Sequence, residues 1–172
     1  MDEKRFRDMM AATPSPVTVV TMADQDGPGG CTVSAFMSLS MSPRMIGVAL
    51  DNRSSLLPRI VATGEFGVNL LAASQADVAL QFARPSQDRF ADVAWFGERG
   101  IPRLHGVAGW LRCRLANVVE AGDHALLMGE VEHAVPTTAS PMVYAHRLFG
   151  GHSGLQDRPV PVLDRSLAAC AR

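Results

Sequence analysis

The sequence predicts a mainly β fold, a barrel or sandwich with a few peripheral helices, on three observations. Runs rich in β-branched and apolar residues recur from Val17 to Val135, divided by turns containing Gly, Pro and Asp. Two of these runs, Gly106–Glu120 and His124–Val135, are long and are separated only by Ala121-Gly122-Asp123, which has the chemistry of a tight hairpin. Helical patterns are few and short. Many antiparallel strands with few helices bury their apolar faces by curling into a barrel or stacking as two sheets.

Taken in order, the chain opens with charges of both signs, Met1-Asp2-Glu3-Lys4-Arg5, and then sets Phe6, Met9 and Met10 at helical spacing. Val17 to Met22 reads as a strand. The segment Asp24-Gln25-Asp26-Gly27-Pro28-Gly29-Gly30 turns it into a hairpin with a long alternating strand from Cys31 to Met41. Met45 to Leu50 is a continuous apolar run, the pattern of a strand buried on both faces. Pro58 is tolerated in a helix only where its missing N–H needs no partner, so a helix starts close to Ser55. Glu65 to Leu71 is a further strand, and Ser74-Gln75-Ala76-Asp77 has the cap-then-acid spacing that opens a helix through about Ala83. Residues 84 to 103 form a long excursion with at most short elements, the kind of loop that tends to carry function. The tail after Phe149 is rich in Gly, Pro and charge and is expected to cross the surface or fray. We expect one domain, with a core from about 5 to 150 and a variable tail over 151–172.

Composition removes several classes. A net charge of −1 gives no electrostatic case for nucleic acid or an anionic membrane surface. There is no apolar run long enough for a span and no signal-peptide pattern, so a cytoplasmic location is expected. Cys31, Cys113 and Cys170 are widely spaced and odd in number, which suits neither a disulfide framework nor a metal site. There is no nucleophile-elbow Ser and no GxGxxG.

Chemistry is suggested at two places. The Cys31–Met41 strand sets Val33, Ala35, Met37, Leu39 and Met41 on one face and Thr32, Ser34, Phe36, Ser38 and Ser40 on the other. Small hydroxyls and the amides beside them can hydrogen-bond a polar planar ring or a phosphate without bulk; the same pattern also describes a half-exposed strand with a Ser/Thr-rich outer face. The second place is Asp51-Asn52-Arg53-Ser54-Ser55. Unsatisfied amides and the helix dipole favour an anion at such a helix start, although an ordinary N-cap has the same residues.

In combination these stretches resemble the flavin reductase family that feeds reduced flavin to two-component monooxygenases. The resemblance is carried by Pro16-Val17-Thr18-Val19-Val20-Thr21, by Thr32-Val33-Ser34-Ala35-Phe36 with Ser38, Ser40 and Pro43, and by Asp51 with Ser54-Ser55. It continues through Phe66-Gly67-Val68-Asn69-Leu70-Leu71, Gln81-Phe82-Ala83, Asp88-Arg89-Phe90, Gly122-Asp123-His124 and Gly129-Glu130-Val131. These pieces occur in the family's order over roughly residues 5 to 150.

The resemblance implies an FMN-binding split β-barrel, a Greek-key barrel usually found as a homodimer with flavin near the subunit interface. It implies FMN, or FAD, as flavin and NADH or NADPH as reductant, with a monooxygenase receiving the product. Ser34, Ala35 and Phe36 would contact the isoalloxazine and ribityl region, with Thr32, Val33, Ser38 and Ser40 close by, and Ser54, Ser55 and Arg89 would hold the phosphate. Pro16, Val17, Asp51 and Phe82 lie in the matching stretches and are expected at the flavin site. His124 would position the nicotinamide; by residue type alone, a turn His is usually just solvated. Tyr144, His146 and Arg147 lie in what resembles the family's last strand beside the same groove, whereas His105, His133 and His152 match no motif. One departure is Arg44, standing where the family usually has a second proline after Pro43. The rival readings are a pyridoxamine-phosphate-oxidase-like enzyme and a non-catalytic flavin-binding protein on the same barrel.

Overall fold

A computed structural model describes residues 2–85 and 88–151 of the 172; His152 and Cys170 lie outside the described residues. The elements run α1 (Glu3–Ala12), β1 (Ser15–Pro16), β2 (Thr18–Asp24), β3 (Gly27–Val33), β4 (Phe36–Met41), β5 (Arg44–Asp51), α2 (Leu56–Thr63) and β6 (Glu65–Leu70). They continue with α3 (Ala76–Ala83), β7 (Trp95–Glu98), β8 (Ile101–Leu104), β9 (Gly109–Ala121), β10 (His124–Pro136), β11 (Met142–Ala145) and β12 (Leu148–Gly151). The class is mainly β, as predicted, and no helix among the described residues is long and apolar enough to cross a membrane.

Seven strands form one antiparallel sheet in the order β3-β2-β6-β9-β10-β5-β4. Its two outermost strands, β3 and β4, are consecutive in the chain and separated only by Ser34 and Ala35. The sheet therefore has to curl until its margins come together. An apolar cluster fills the inside of the curl, drawing Val20, Val33, Val48, Phe66, Cys113 and Leu127 from six strands, and α2 closes it with Leu56 and Ile60. A second cluster lies outside the sheet, where Phe82 of α3 and Leu104 of β8 cover Val19 and Trp110. β2 thus has a core on each face, which is why Val17–Met22 reads as unbroken apolar sequence apart from its threonines. Those threonines are satisfied: Thr18 Oγ1 donates to the Val33 carbonyl at 2.7 Å and Thr21 Oγ1 to the Pro102 carbonyl at 2.7 Å.

The long strand predicted from Cys31 to Met41 is two strands. The chain breaks at Ser34-Ala35, where the Phe36 amide donates to the Ser34 carbonyl at 3.0 Å, because β3 and β4 must sit on opposite margins. A bulge between Ser38 and Ser40 interrupts the second half. The faces are also reversed after the break. Phe36 packs toward the interior, and Met37, Leu39 and Met41, expected on the covered side, are 46%, 37% and 79% exposed.

The excursion over 84–103 holds the hairpin β7-β8. Besides the apolar contacts of Ile101 and Leu104, a buried polar link attaches it: Asn69 Nδ2 donates to the Val19 carbonyl, and Asn69 Oδ1 accepts from the Leu104 amide at 2.8 Å. β9 and β10 form the expected long hairpin, turning at Gly122 with φ +70°, where glycine relieves the left-handed conformation. β1, β11 and β12 form a separate small sheet. Helix α1 buries none of its residues. Its charged side meets its own chain, through Asp8 on Arg147 at 2.8 Å and the Ala11 carbonyl on the His146 amide at 2.5 Å. At about 3.6 residues per turn this leaves Phe6, Met9 and Met10 on the opposite, open side.

Candidate active site

The seam between β3 and β4 opens into a cleft of about 260 Å³. Thr32, Val33, Ser34, Ala35, Asp51, Ser54 and His124 line it, so seven residues expected at the flavin and nicotinamide sites converge there. Cys31, Ala49 and Leu50 complete the lining. Ser34 and Ala35 are exposed at its mouth, and the Ala35 carbonyl accepts from the Ala49 amide at 3.0 Å, which fixes the bend against β5. Thr32 has a structural bond besides: its hydroxyl donates to the Ala79 carbonyl at 2.6 Å, tying β3 to α3.

The start of α2 is built as the sequence suggests, with a change of partner. Ser55 is the N-cap but makes no side-chain capping bond; the Ser54 hydroxyl accepts from the Leu56 amide at 3.3 Å. Arg53 is bound to Asp51 through Nε at 3.0 Å and Nη2 at 2.6 Å. That guanidinium, together with the Arg53 amide, holds the Asp51 carboxyl well below the usual carboxylate range.

Strand pairing puts His124 opposite Asp51. His124 Nδ1 lies 2.7 Å from Asp123 Oδ1, and this bond lowers the Asp123 pKa. An ionised carboxylate only accepts, so Nδ1 carries the hydrogen and Nε2 is the ring atom left for a ligand. Asn52 braces the turn, donating from its amide to the Asp123 carbonyl at 3.0 Å and from Nδ2 to the Gly122 carbonyl at 3.1 Å. Burial pushes the Cys31 thiol up to about 11, so it is neutral near pH 7 and no nucleophile.

A second cleft of about 290 Å³ lies on the other side of the α2 start, lined by Ser55, Gly29, Gly30, Arg59, Arg89 and Phe90, with Asp26 and Asp88 among the rest. Arg89 Nη1 donates to the Gly30 carbonyl at 2.8 Å and its Nε to the Arg84 carbonyl at 3.1 Å. Arg59 grips Asp24 with Nε at 2.8 Å and Nη2 at 2.5 Å and also donates to the Gly27 carbonyl. Sequence reasoning missed this pair and the contributions of Gly29, Gly30 and Asp26, because they come from a turn and a helix distant in sequence and follow no spacing rule.

Other expected site residues fall elsewhere. Val17 is 1% and Phe82 0% exposed; both belong to the outer cluster, so their side chains are closed to a ligand. The Phe36 ring lines a different, apolar groove with Val68, Leu111 and Val135. Ser38 and Ser40 lie along β4 away from the cleft, and Ser40 Oγ accepts from the Ser42 amide at 3.2 Å. Pro16 pairs with Val143 in the small sheet. Tyr144 packs at a tilt against Phe149 there, and His146 and Arg147 form its left-handed turn against α1. Their hairpin belongs to a separate sheet, so within one chain none of the three lines the seam cleft. Arg44 is exposed at the β4–β5 turn, opposite Met41.

Comparison with known proteins identifies the family. Residues 10–153 match the flavin reductase like domain, and the chain belongs to that family. It is 40% identical over 132 residues, 76% of its length, to the reductase component of the flavin-dependent trigonelline monooxygenase of Acinetobacter baylyi, of which it spans 43%. It is 35% identical over 150 residues to the reductase component of the 4-nitrophenol 4-monooxygenase/4-nitrocatechol 2-monooxygenase of Rhodococcus opacus, covering 87% of this chain and 81% of that one. The solved structure of the NADH:FAD oxidoreductase SgcE6 of Streptomyces globisporus C-1027, in complex with NAD and FAD fragments, superposes with a TM-score of 0.83 at 30% identity, covering 95% of this chain and 96% of that one. For three relatives 37% to 40% identical to it, the chain spans between 42% and 57% of their length.

Proposed function

We propose that this protein is an NAD(P)H-dependent flavin reductase that delivers reduced FMN or FAD to a partner monooxygenase. The observation that carries the reading is the convergence of the Ser34-Ala35 bend, the α2 start and His124 on one cleft inside a chain of the flavin reductase family. The residues fit a flavin. Ser34 and Ala35 offer a narrow polar edge to the ring, and Ser54, Ser55 and Arg89 offer hydroxyls, helix amides and a cation where a phosphate would end. Bound flavin would supply the acceptor for hydride from the reduced nicotinamide, and the protein's part is to align the two rings and exclude competing geometry. His124, oriented by Asp123, is the side chain placed to contact the nicotinamide. Relatives that are reductase components of monooxygenases support an oxygenase as recipient of the product.

The protein is also proposed to act as a homodimer. Support comes from the outer face of the sheet, where Met37 and Leu39 stand exposed beside Leu126 and Met128 with no element of the described residues over them, and from the open apolar side of α1.

The deciding experiment follows NADH and NADPH absorbance with the purified protein and added FMN, FAD or riboflavin. Flavin-dependent oxidation above the flavin-only background is expected. Its absence with every pairing would overturn the reading.

A further inference from the structure

We infer that the second cleft receives the adenosine end of a dinucleotide flavin, making FAD the tighter ligand. This rests on the flavin reading of the seam cleft. The two clefts adjoin across two consecutive residues: Ser54 lines the seam cleft, and Ser55 lines the second. An FMN whose ring lies at Ser34-Ala35 ends in its phosphate at this step. The phosphate would reach Ser55 and Arg89 at the edge of the second cleft; whatever a flavin carries beyond it enters that cleft, and FMN carries nothing more, leaving the rest of a space of about 290 Å³ unfilled.

The lining of that space suits a nucleoside better than a second anion. Of its two cations, Arg59 is already neutralised by a two-point grip on Asp24. Arg89, bound to two carbonyls, stands beside Ser55 in the same lining, where it serves the phosphates. The other charges, Asp26 and Asp88, are carboxylates, which repel phosphate and accept from ribose hydroxyls. Phe90 supplies an aromatic wall, set T-shaped against Phe82 with ring centres 5.0 Å apart and against Trp95 at 5.3 Å. A base can stack on such a ring whatever its hydrogen-bonding edge.

The test is titration of intrinsic and flavin fluorescence with riboflavin, FMN and FAD, for the full chain and two variants. Phe90→Leu keeps apolar packing and removes the ring; Asp26→Trp places bulk in the cleft from an exposed turn position outside both cores. The wild type is expected to bind FAD about ten-fold or more tighter than FMN, the size of one base–aromatic stack. Each variant is expected to lose that advantage while FMN affinity stays within about two-fold, and AMP is expected to displace FAD competitively without displacing riboflavin. Equal wild-type affinity for FMN and FAD, or variants that weaken both alike, would overturn the inference and leave the reductase reading standing. Failure to bind any flavin would instead overturn the reading on which it rests. Should Phe90→Leu not fold, Asp26→Trp and AMP competition still decide the matter.

Discussion

The two faces of β5 and β10 are written in similar residues and have opposite fates. On the inner face Ile46, Val48, Leu50, Ala125 and Leu127 are buried in the interior of the curl, under α2. On the outer face Gly47, Ala49, Leu126 and Met128 form a row with Met37 of β4 that no other element among the described residues covers. Alternation in a strand thus reports which side chains share a face, and it is silent on whether the cover comes from the same chain or from another molecule.

The comparison breaks most visibly if the interior is cut. Phe66 is fully buried there, and Phe66→Ala is expected to cost about 3–5 kcal/mol, read as a lower urea midpoint at unchanged slope. A pair of glycines sharpens it. A Cβ on Gly129 would stand 2.6 Å from Phe66 Cζ and 2.9 Å from Cys113 Cβ, so Gly129→Ala is expected to destabilise by about 1–3 kcal/mol through overpacking. On the outer face the nearest neighbours of a Cβ on Gly47 would be flexible side-chain atoms, Leu126 Cδ1, Leu39 Cδ1 and Met37 Cγ at 3.2 to 3.4 Å, and Gly47→Ala is expected to stay within about 0.5 kcal/mol. Equal losses for the two would mean the outer face is as tightly packed as the inner.

His124 continues the outer row, opposite Asp51. His124→Ala is expected to raise the KM for NADH or slow flavin reduction in stopped-flow while flavin affinity stays nearly unchanged. Normal reduction kinetics with a lower Tm would confine His124 to bracing its turn with Asp123. Met37→Lys combined with Leu39→Lys is expected to change protomer stability by less than about 0.5 kcal/mol and to yield monomers in sedimentation velocity. A stable dimer carrying both lysines would place the interface elsewhere.

The smallest expected effect concerns acid. Arg59 holds the Asp24 carboxyl below its ordinary value, so the stability contributed by this pair is fully present above the unfolded carboxylate pKa, about 4, and is lost as pH falls through the lower folded value. Asp24→Asn is expected to flatten the acid limb of the stability–pH curve without altering stability differences among pH values above about 6.

Local signals in the sequence located most elements. Pro58 marks the first turn of α2, and Gly122 the β9–β10 turn, because backbone constraints of this kind act within a few residues. The convergence of Ser34, Ser54 and His124 was legible only through a resemblance spanning the chain, since the three lie on a bend, a helix start and a distant hairpin. What remained hidden depends on topology. The break at Ser34-Ala35 exists because β3 and β4 occupy opposite margins, and nothing between Cys31 and Met41 encodes the strand order. Likewise Val17 and Phe82 match the family's stretches, yet their burial follows from α3 and β8 lying over β2, a long-range fact. Asp24 with Arg59 is a contact across 35 positions with no periodic signature.

The two-residue link at Ser34-Ala35 joins the first and last strands of the sheet. A ligand seated there acts as a clasp: it grips both margins at once, and separating them means releasing it. By mass action its occupancy adds to the stability of the closed sheet in proportion to the logarithm of its concentration over Kd. Amide exchange in β3 and β4, the two strands with an unpaired margin, therefore becomes a gauge of occupancy even for a ligand that leaves every other part of the structure unchanged.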